Sequence, residues 1–186
     1  MAMKSWIKIS LIILVILVVL STLFLIVFRY GIASKLMSQS YNEAKTGNIG
    51  YAEFLMNIAV KLSPSQTVSF KLGLAIVLSE AGYTEDSTRI TETLFSENPD
   101  IRGLLYMGYQ FFRNWQYDLA LRAYNESRFT EGQQNLQERA FLGYAKILIM
   151  QNKTDEVFPE VVRLSGQGVT PLIQTQAWEL IKFVNK

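Results

Sequence analysis

The stretch LLYMGYQFFRNWQYDLALRAYNES, Leu104–Ser127, places seven aromatic residues and only four charged ones in 24 positions. A catalytic pocket, a base-stacking platform, a helical core and a partner groove would each use such residues, and their spacing chooses among these. Met107 and Gly108 form a large–small pair, Phe111 follows three positions after the glycine, and Tyr117, Ala120 and Tyr124 recur at helical intervals beyond it. Two successive amphipathic helices account for this pattern.

Outward from this stretch the large–small pair recurs as Met37-Ser38, Leu72-Gly73, Met107-Gly108 and Leu142-Gly143, each 35 residues from the next. Three positions beyond the small residue stand Tyr41, Ile76, Phe111 and, out of pattern, Lys146. Gly47 and Gly82 keep the same interval, as do Pro64 and Pro99. Self-similarity at such a period marks stacked supersecondary units, here helix, turn, helix, turn. The small residue lets a second helix come close, and its large neighbour fills the space between helices. Strand-like alternation with hairpin turn pairs is absent, so the class predicted is all-α.

These residues resemble the tetratricopeptide repeat family. In MGYQFFRNWQYDLALRAYNES the family's first-helix pair is Met107-Gly108 followed by Phe111, its second helix opens on Tyr117, and the small–aromatic–small series is Ala120, Tyr124 and Ser127. TGNIGYAEFLMNIAVKLSPS supplies Gly47 at the turn, Ala52, Met56 and Ala59 in the second helix, and Pro64 at its end. The second unit is weaker, with Ser87, Thr91 and Leu94 at those places, and the fourth is irregular because Pro159 must either start its second helix or kink it. The resemblance implies a right-handed α-solenoid of about four helical hairpins, 34–65, 66–99, 100–132 and 135–166, within 31–168. A capping helix at 169–186 is expected to close the stack. Thr170 is its N-cap, Pro171 its first residue, and Ile173, Ala177, Leu180, Ile181 and Val184 form its apolar face.

Before the repeats, residues 1–30 form a predicted signal anchor. Ile9–Phe28 is twenty residues without a charge, enough at about 1.5 Å per residue to cross about 30 Å of hydrocarbon. Trp6 and Tyr30 stand at its ends, where amphipathic rings favour the headgroup level. Gly31-Ile32-Ala33 offers a cleavage-site alternative, but the apolar run is longer than the h-region of a cleaved signal peptide. Lys4, Lys8 and the α-amino group outweigh Arg29 and Lys35 slightly, which predicts a cytoplasmic N-terminus in a bacterial inner membrane and a repeat domain on the periplasmic side. Ser10, Leu14, Leu17 and Ser21 share one helix face, either as a contact with another transmembrane helix or as tolerated small polar residues.

The inventory excludes several function classes. There is no histidine and no cysteine, so Ser-His-Asp and Cys-His nucleophiles, His/Cys zinc sites and thiol redox chemistry are impossible within this chain. The acidic pairs Glu85-Asp86 and Asp155-Glu156 each follow a threonine ahead of an apolar-periodic segment, and read as helix N-termini rather than as acid–base catalysts. No catalytic residue, metal or cofactor is expected. Of 18 Lys+Arg, Lys4, Lys8 and Arg29 lie in the first thirty residues, leaving 15 against 16 Asp+Glu. A domain so nearly neutral lacks the footprint of a nucleic-acid binder. No small-molecule substrate is expected either. The tripeptides Asn125-Glu126-Ser127 and Asn152-Lys153-Thr154 match glycosylation acceptors, a pattern common by chance.

Within the aromatic stretch, Leu104, Met107, Gly108, Phe111, Tyr117 and Tyr124 are expected in the core. The remaining residues carry the functional reading. By the resemblance, Leu105, Tyr109 and Phe112 line a concave groove, with Phe70, Leu74 and Val77 one period before and Tyr144 and Ile147 one period after. Arg113 stands beside them as a carboxylate partner or a rim charge. A helix apolar on most of its circumference implies a cover. That cover is another protein, or the chain's own C-terminal helix. Leu74, Tyr109 and Tyr144 stand where carboxylate-clamp members of the family resemble one another in using Asn, Lys or Arg, so that use is disfavoured. The expected function is a membrane-anchored scaffold, an accessory or assembly subunit of a membrane protein complex, tied to the bilayer through residues 9–28. The alternative is a chaperone-like helper of protein translocation or membrane-protein biogenesis.

Overall fold

The computed structural model describes residues 2–97 and 99–185, with side chains described from Leu14 onward. Among these every regular element is helical: α1 Ala2–Lys45, α2 Ile49–Leu62, α3 Thr67–Glu80, α4 Thr84–Ser96, α5 Ile101–Arg113, α6 Tyr117–Phe129, α7 Gln134–Met150, α8 Phe158–Gln167 and α9 Pro171–Val184. Single 3-10 turns occupy Pro64–Gln66 and Thr154–Glu156.

Four of the connections share one geometry. After α1, α3, α5 and α7 a single residue turns left-handed: Gly47 at φ 84°, Gly82 at 89°, and Trp115 and Asn152 at 61°. The next N–H then reaches back five residues, from Asn48 to Glu43, Tyr83 to Leu78, Gln116 to Phe111 and Lys153 to Leu148, each N–H donating to a carbonyl at 2.9–3.0 Å. These bonds satisfy carbonyls that a helix end leaves open, and the left-handed residue reverses the chain. Short helix–turn–helix hairpins result at α1/α2, α3/α4, α5/α6 and α7/α8.

The chain divides into two compact units, 1–91 and 92–186. In the first, Ala33, Met37 and Ala44 of α1 pack with Ala52, Met56 and Ala59 of α2 and with Phe70, Leu74, Ala75 and Leu78 of α3. Alanines at these contacts let the helix axes approach. Buried hydroxyls pin the hairpins, Ser40 Oγ donating to the Ala52 carbonyl and Ser87 Oγ to the Ala75 carbonyl, both at 2.7 Å. In the second unit, Phe141, Leu142, Ala145 and Leu148 of α7 pack with Val161 and Leu164 of α8 and with Ile173 and Ala177 of α9. Leu180, Ile181 and Val184 pack against the same cluster. Thr170 caps α9, its hydroxyl accepting from the Ile173 N–H at 3.4 Å.

The observed helix boundaries bear on three expectations. The helix that holds the predicted anchor continues past residue 30: α1 runs without a break from Ala2 to Lys45 and carries both the apolar segment and the first helix of the first hairpin. No proline or left-handed glycine lies between Phe28 and Ala33, so nothing interrupts the hydrogen-bond ladder. Asp155 and Glu156 lie in a 3-10 turn rather than in the first turn of an α-helix, and Pro159 near the start of α8 begins that helix instead of kinking it. Glu85 and Asp86 do occupy the first turn of α4.

One helix near the N-terminus is long and apolar enough to cross a membrane. From Leu14 to Phe28 its side chains are exposed along all faces. Leu14 and Leu17 are both 58 % exposed. Ser21 Oγ donates to the Val18 carbonyl at 2.9 Å, so this hydroxyl is satisfied by its own helix. Ser10, the fourth member of that face, lies outside the described side chains.

Candidate partner-binding groove

Tyr124 organises the second unit. It projects from α6 between two glycines: a Cβ on Gly108 of α5 would meet its ring at 2.7 Å, and one on Gly143 of α7 at 2.6 Å. The ring fits only because both neighbours lack a side chain. Burial, with Tyr109 nearby, pushes the Tyr124 hydroxyl up to about 12 from the ordinary value of 10.0.

Above this ring opens a groove of about 900 Å³ bounded by α5, α7 and α9. Leu105, Leu142 and Leu180 form an apolar floor with Tyr124. The rim carries Tyr106 and Tyr109 from α5, Met150 from α7 and Phe183 from α9. Tyr109 is 51 % exposed and Phe183 58 %, so α9 builds a wall of the groove without filling it. Arg102, Arg139 and Lys146 face the opening, against one acidic residue, Glu179.

The wall supplied by α9 is held from behind by Glu138 of α7. This carboxylate is buried, and it accepts from Gln134 Nε2 at 3.0 Å and from the Val169 N–H at 2.9 Å. Gln174 Nε2 donates to the Gly168 carbonyl at 3.0 Å, closing the turn that leads into α9. Gly168 has no room for a Cβ, which would lie 2.7 Å from Ile173 Cγ2 and from the Leu164 carbonyl.

The nine groove residues expected from sequence fall in both units, Phe70, Leu74 and Val77 in the first and the other six in the second. Leu105 and Tyr109 line the groove. Phe70 and Leu74 are instead core residues of the first unit, with Val77 packed against them, because α1 and α2 both cover α3. Ile147 is fully buried. Phe112 tilts against Tyr117 at 5.8 Å and sits under the Lys146 ammonium at 4.8 Å. Tyr144 lies under the Arg128 guanidinium at 4.8 Å, and Arg113 lies 5.8 Å over the Tyr109 ring. From α7 the groove takes Arg139, Gly143, Lys146 and Met150, so that Gly143 and Lys146 stand one residue before the expected Tyr144 and Ile147. One residue is about 100° around a helix, which carries a side chain from groove to core. Phe183 and Met150 were not anticipated. Tyr106 was legible, standing one helical turn before Tyr109.

Among the described residues no three His, Cys, Asp or Glu side chains gather where they could hold a metal ion. Compared with protein-family models, with curated proteins and with solved structures, the chain matches none.

Proposed function

We propose that this chain is a membrane-anchored interaction module whose C-terminal unit captures a segment of another protein. The observation that carries the reading is the groove beneath Tyr109 and Phe183: an apolar floor, exposed aromatic rim residues and, among the described residues of its own unit, no covering element. Concave apolar surfaces with convergent polar groups are where ligands dock, and exposed tyrosine and phenylalanine supply binding energy with few rotatable bonds. The four hairpins closed by the same left-handed turn, with small residues at Ser38, Gly73, Gly108 and Gly143, support reading them as tetratricopeptide-like repeats. In this reading α1 spans an inner membrane with its N-terminus cytoplasmic, and the partner is a membrane protein or complex. Tethering raises the effective concentration of the groove for such a partner, so modest affinity suffices.

Co-purification tests the proposal. Tyr106→Ser, Tyr109→Ser and Phe183→Ser in one chain should lower recovery of a stoichiometric partner by about tenfold or more. Circular dichroism should be unchanged, since all three side chains are exposed. Trp178→Ser is the control, because Trp178 is 53 % exposed on α9 but lies off the groove. Equal recovery in the triple variant removes the groove assignment.

A further inference from the structure

The first unit separates its charges along the axis of α1. Its acidic residues are Glu43, Glu53, Glu80, Glu85 and Asp86, and none occurs from Tyr30 to Asn42 or from Phe54 to Ser79. The Ser40–Ala52 hydrogen bond sets the antiparallel register of α1 and α2, which places Glu53 near the level of residue 39 and Lys61 near the level of Gly31. Tyr41 against Gly73 sets the level of α3, so Glu80 and the α3–α4 turn with Glu85 and Asp86 lie toward the far end. Glu43 is fifteen residues beyond Phe28, about 22 Å along the helix. At the near end stand Arg29, Lys35 and Lys61, all exposed, and among the described residues none of the three is in an ion pair. The far end also holds three basic residues, Lys45, Lys71 and Arg89, the last paired with Glu53 and Asp86, and the five carboxylates outnumber them.

The basic end is the end from which the apolar segment leaves. Because α1 is unbroken there, Lys35 stays within about 10 Å of Arg29 along the axis, and Lys61 is brought to the same level by folding rather than by sequence proximity. Tyr30, 52 % exposed, marks the same level.

We infer that this face, Arg29, Lys35 and Lys61 around the exit of α1, is a binding surface for anionic phospholipid headgroups that seats the first unit on the bilayer. The inference rests on the reading of α1 as a membrane span. Basic side chains held at an anionic lipid surface are attracted within a Debye length, about 8 Å at physiological salt, whereas the acidic far end would meet repulsion only if the unit tipped onto the bilayer, so both halves of the separation favour one upright orientation.

The chain contains no cysteine, so Ser65→Cys, in the exposed turn after Lys61, accepts a single fluorophore. The full chain is reconstituted in nanodiscs of phosphatidylcholine, with or without phosphatidylglycerol, carrying a quencher on the headgroup. Quenching is expected to be about twofold greater with phosphatidylglycerol. High salt, which shortens the Debye length to about 3 Å, and Lys35→Gln with Lys61→Gln should each abolish the difference. Equal quenching in the two lipids, or a difference that survives the double substitution, overturns the inference. Alkaline carbonate extraction of the same protein from vesicles separates the two readings: release overturns the span and the seating together, whereas retention without lipid preference overturns the seating alone.

Discussion

Tyr124 between Gly108 and Gly143 is the residue-scale contact on which the second unit depends. Adding a single methyl at either glycine drives a Cβ to within 2.7 Å of the ring, so Gly108→Ala or Gly143→Ala should destabilise by about 1–3 kcal/mol, as overpacking does. A lower thermal midpoint in both variants is the expected result. Gly31→Ala meets nothing within 4 Å and should be neutral or slightly stabilising, since alanine favours a helix. The buried hydroxyl makes a second, independent prediction. Its folded pKa of about 12 lies above the ordinary 10.0, so the folded state retains a proton that the unfolded chain releases. The associated stability is fully present below pH of about 10 and is lost as pH rises toward 12, roughly 2–3 kcal/mol in all. Tyr124→Phe should flatten that part of the stability curve, measured by urea unfolding at successive pH values.

At the scale of elements, the four hairpin turns separate what was legible from what was not. Gly47 and Gly82 announce left-handed turns because glycine adopts that conformation without strain. Trp115 takes the same conformation against the preference of its side chain, so no turn signal marked it, whereas Asn152 is of a type that tolerates this conformation and is common just past helix ends. Trp115 is 76 % exposed and its main contact is an edge-on one with Tyr117 at 6.1 Å. A left-handed residue with a Cβ costs about 1–2 kcal/mol, while an aromatic pair contributes about 0.5–1.5. Trp115→Gly should therefore stabilise the chain slightly or leave it unchanged, and Asn152→Gly should stabilise it by up to about 1 kcal/mol, both read from the thermal midpoint. The attachment of α9 is the other test at this scale. Glu138→Ala removes the acceptor of the Val169 N–H, a charge-assisted bond of about 2 kcal/mol. Faster amide exchange confined to 169–184 is expected, because α9 would detach before the rest of the unit opens.

For the whole molecule, α1 carries both the apolar segment and a wall of the first core, and truncation tells the two parts apart. A chain starting at Arg29 keeps Ala33, Met37 and Ala44 in the first core and should remain helical without detergent. A chain starting at Thr46 lacks all three and should lose the first unit, seen as reduced helix content and a broadened transition. The all-helical class and the long apolar N-terminal helix were legible in the residues alone, because both are written in short-range periodicity. Helix packing is what puts Leu74 and Ile147 in the core, brings Phe183 and Met150 to the groove and sets Lys61 level with Gly31. Periodicity identifies which side of a helix is apolar, but which neighbour covers that side depends on packing between helices distant in the chain, where a rotation of one residue exchanges solvent for core.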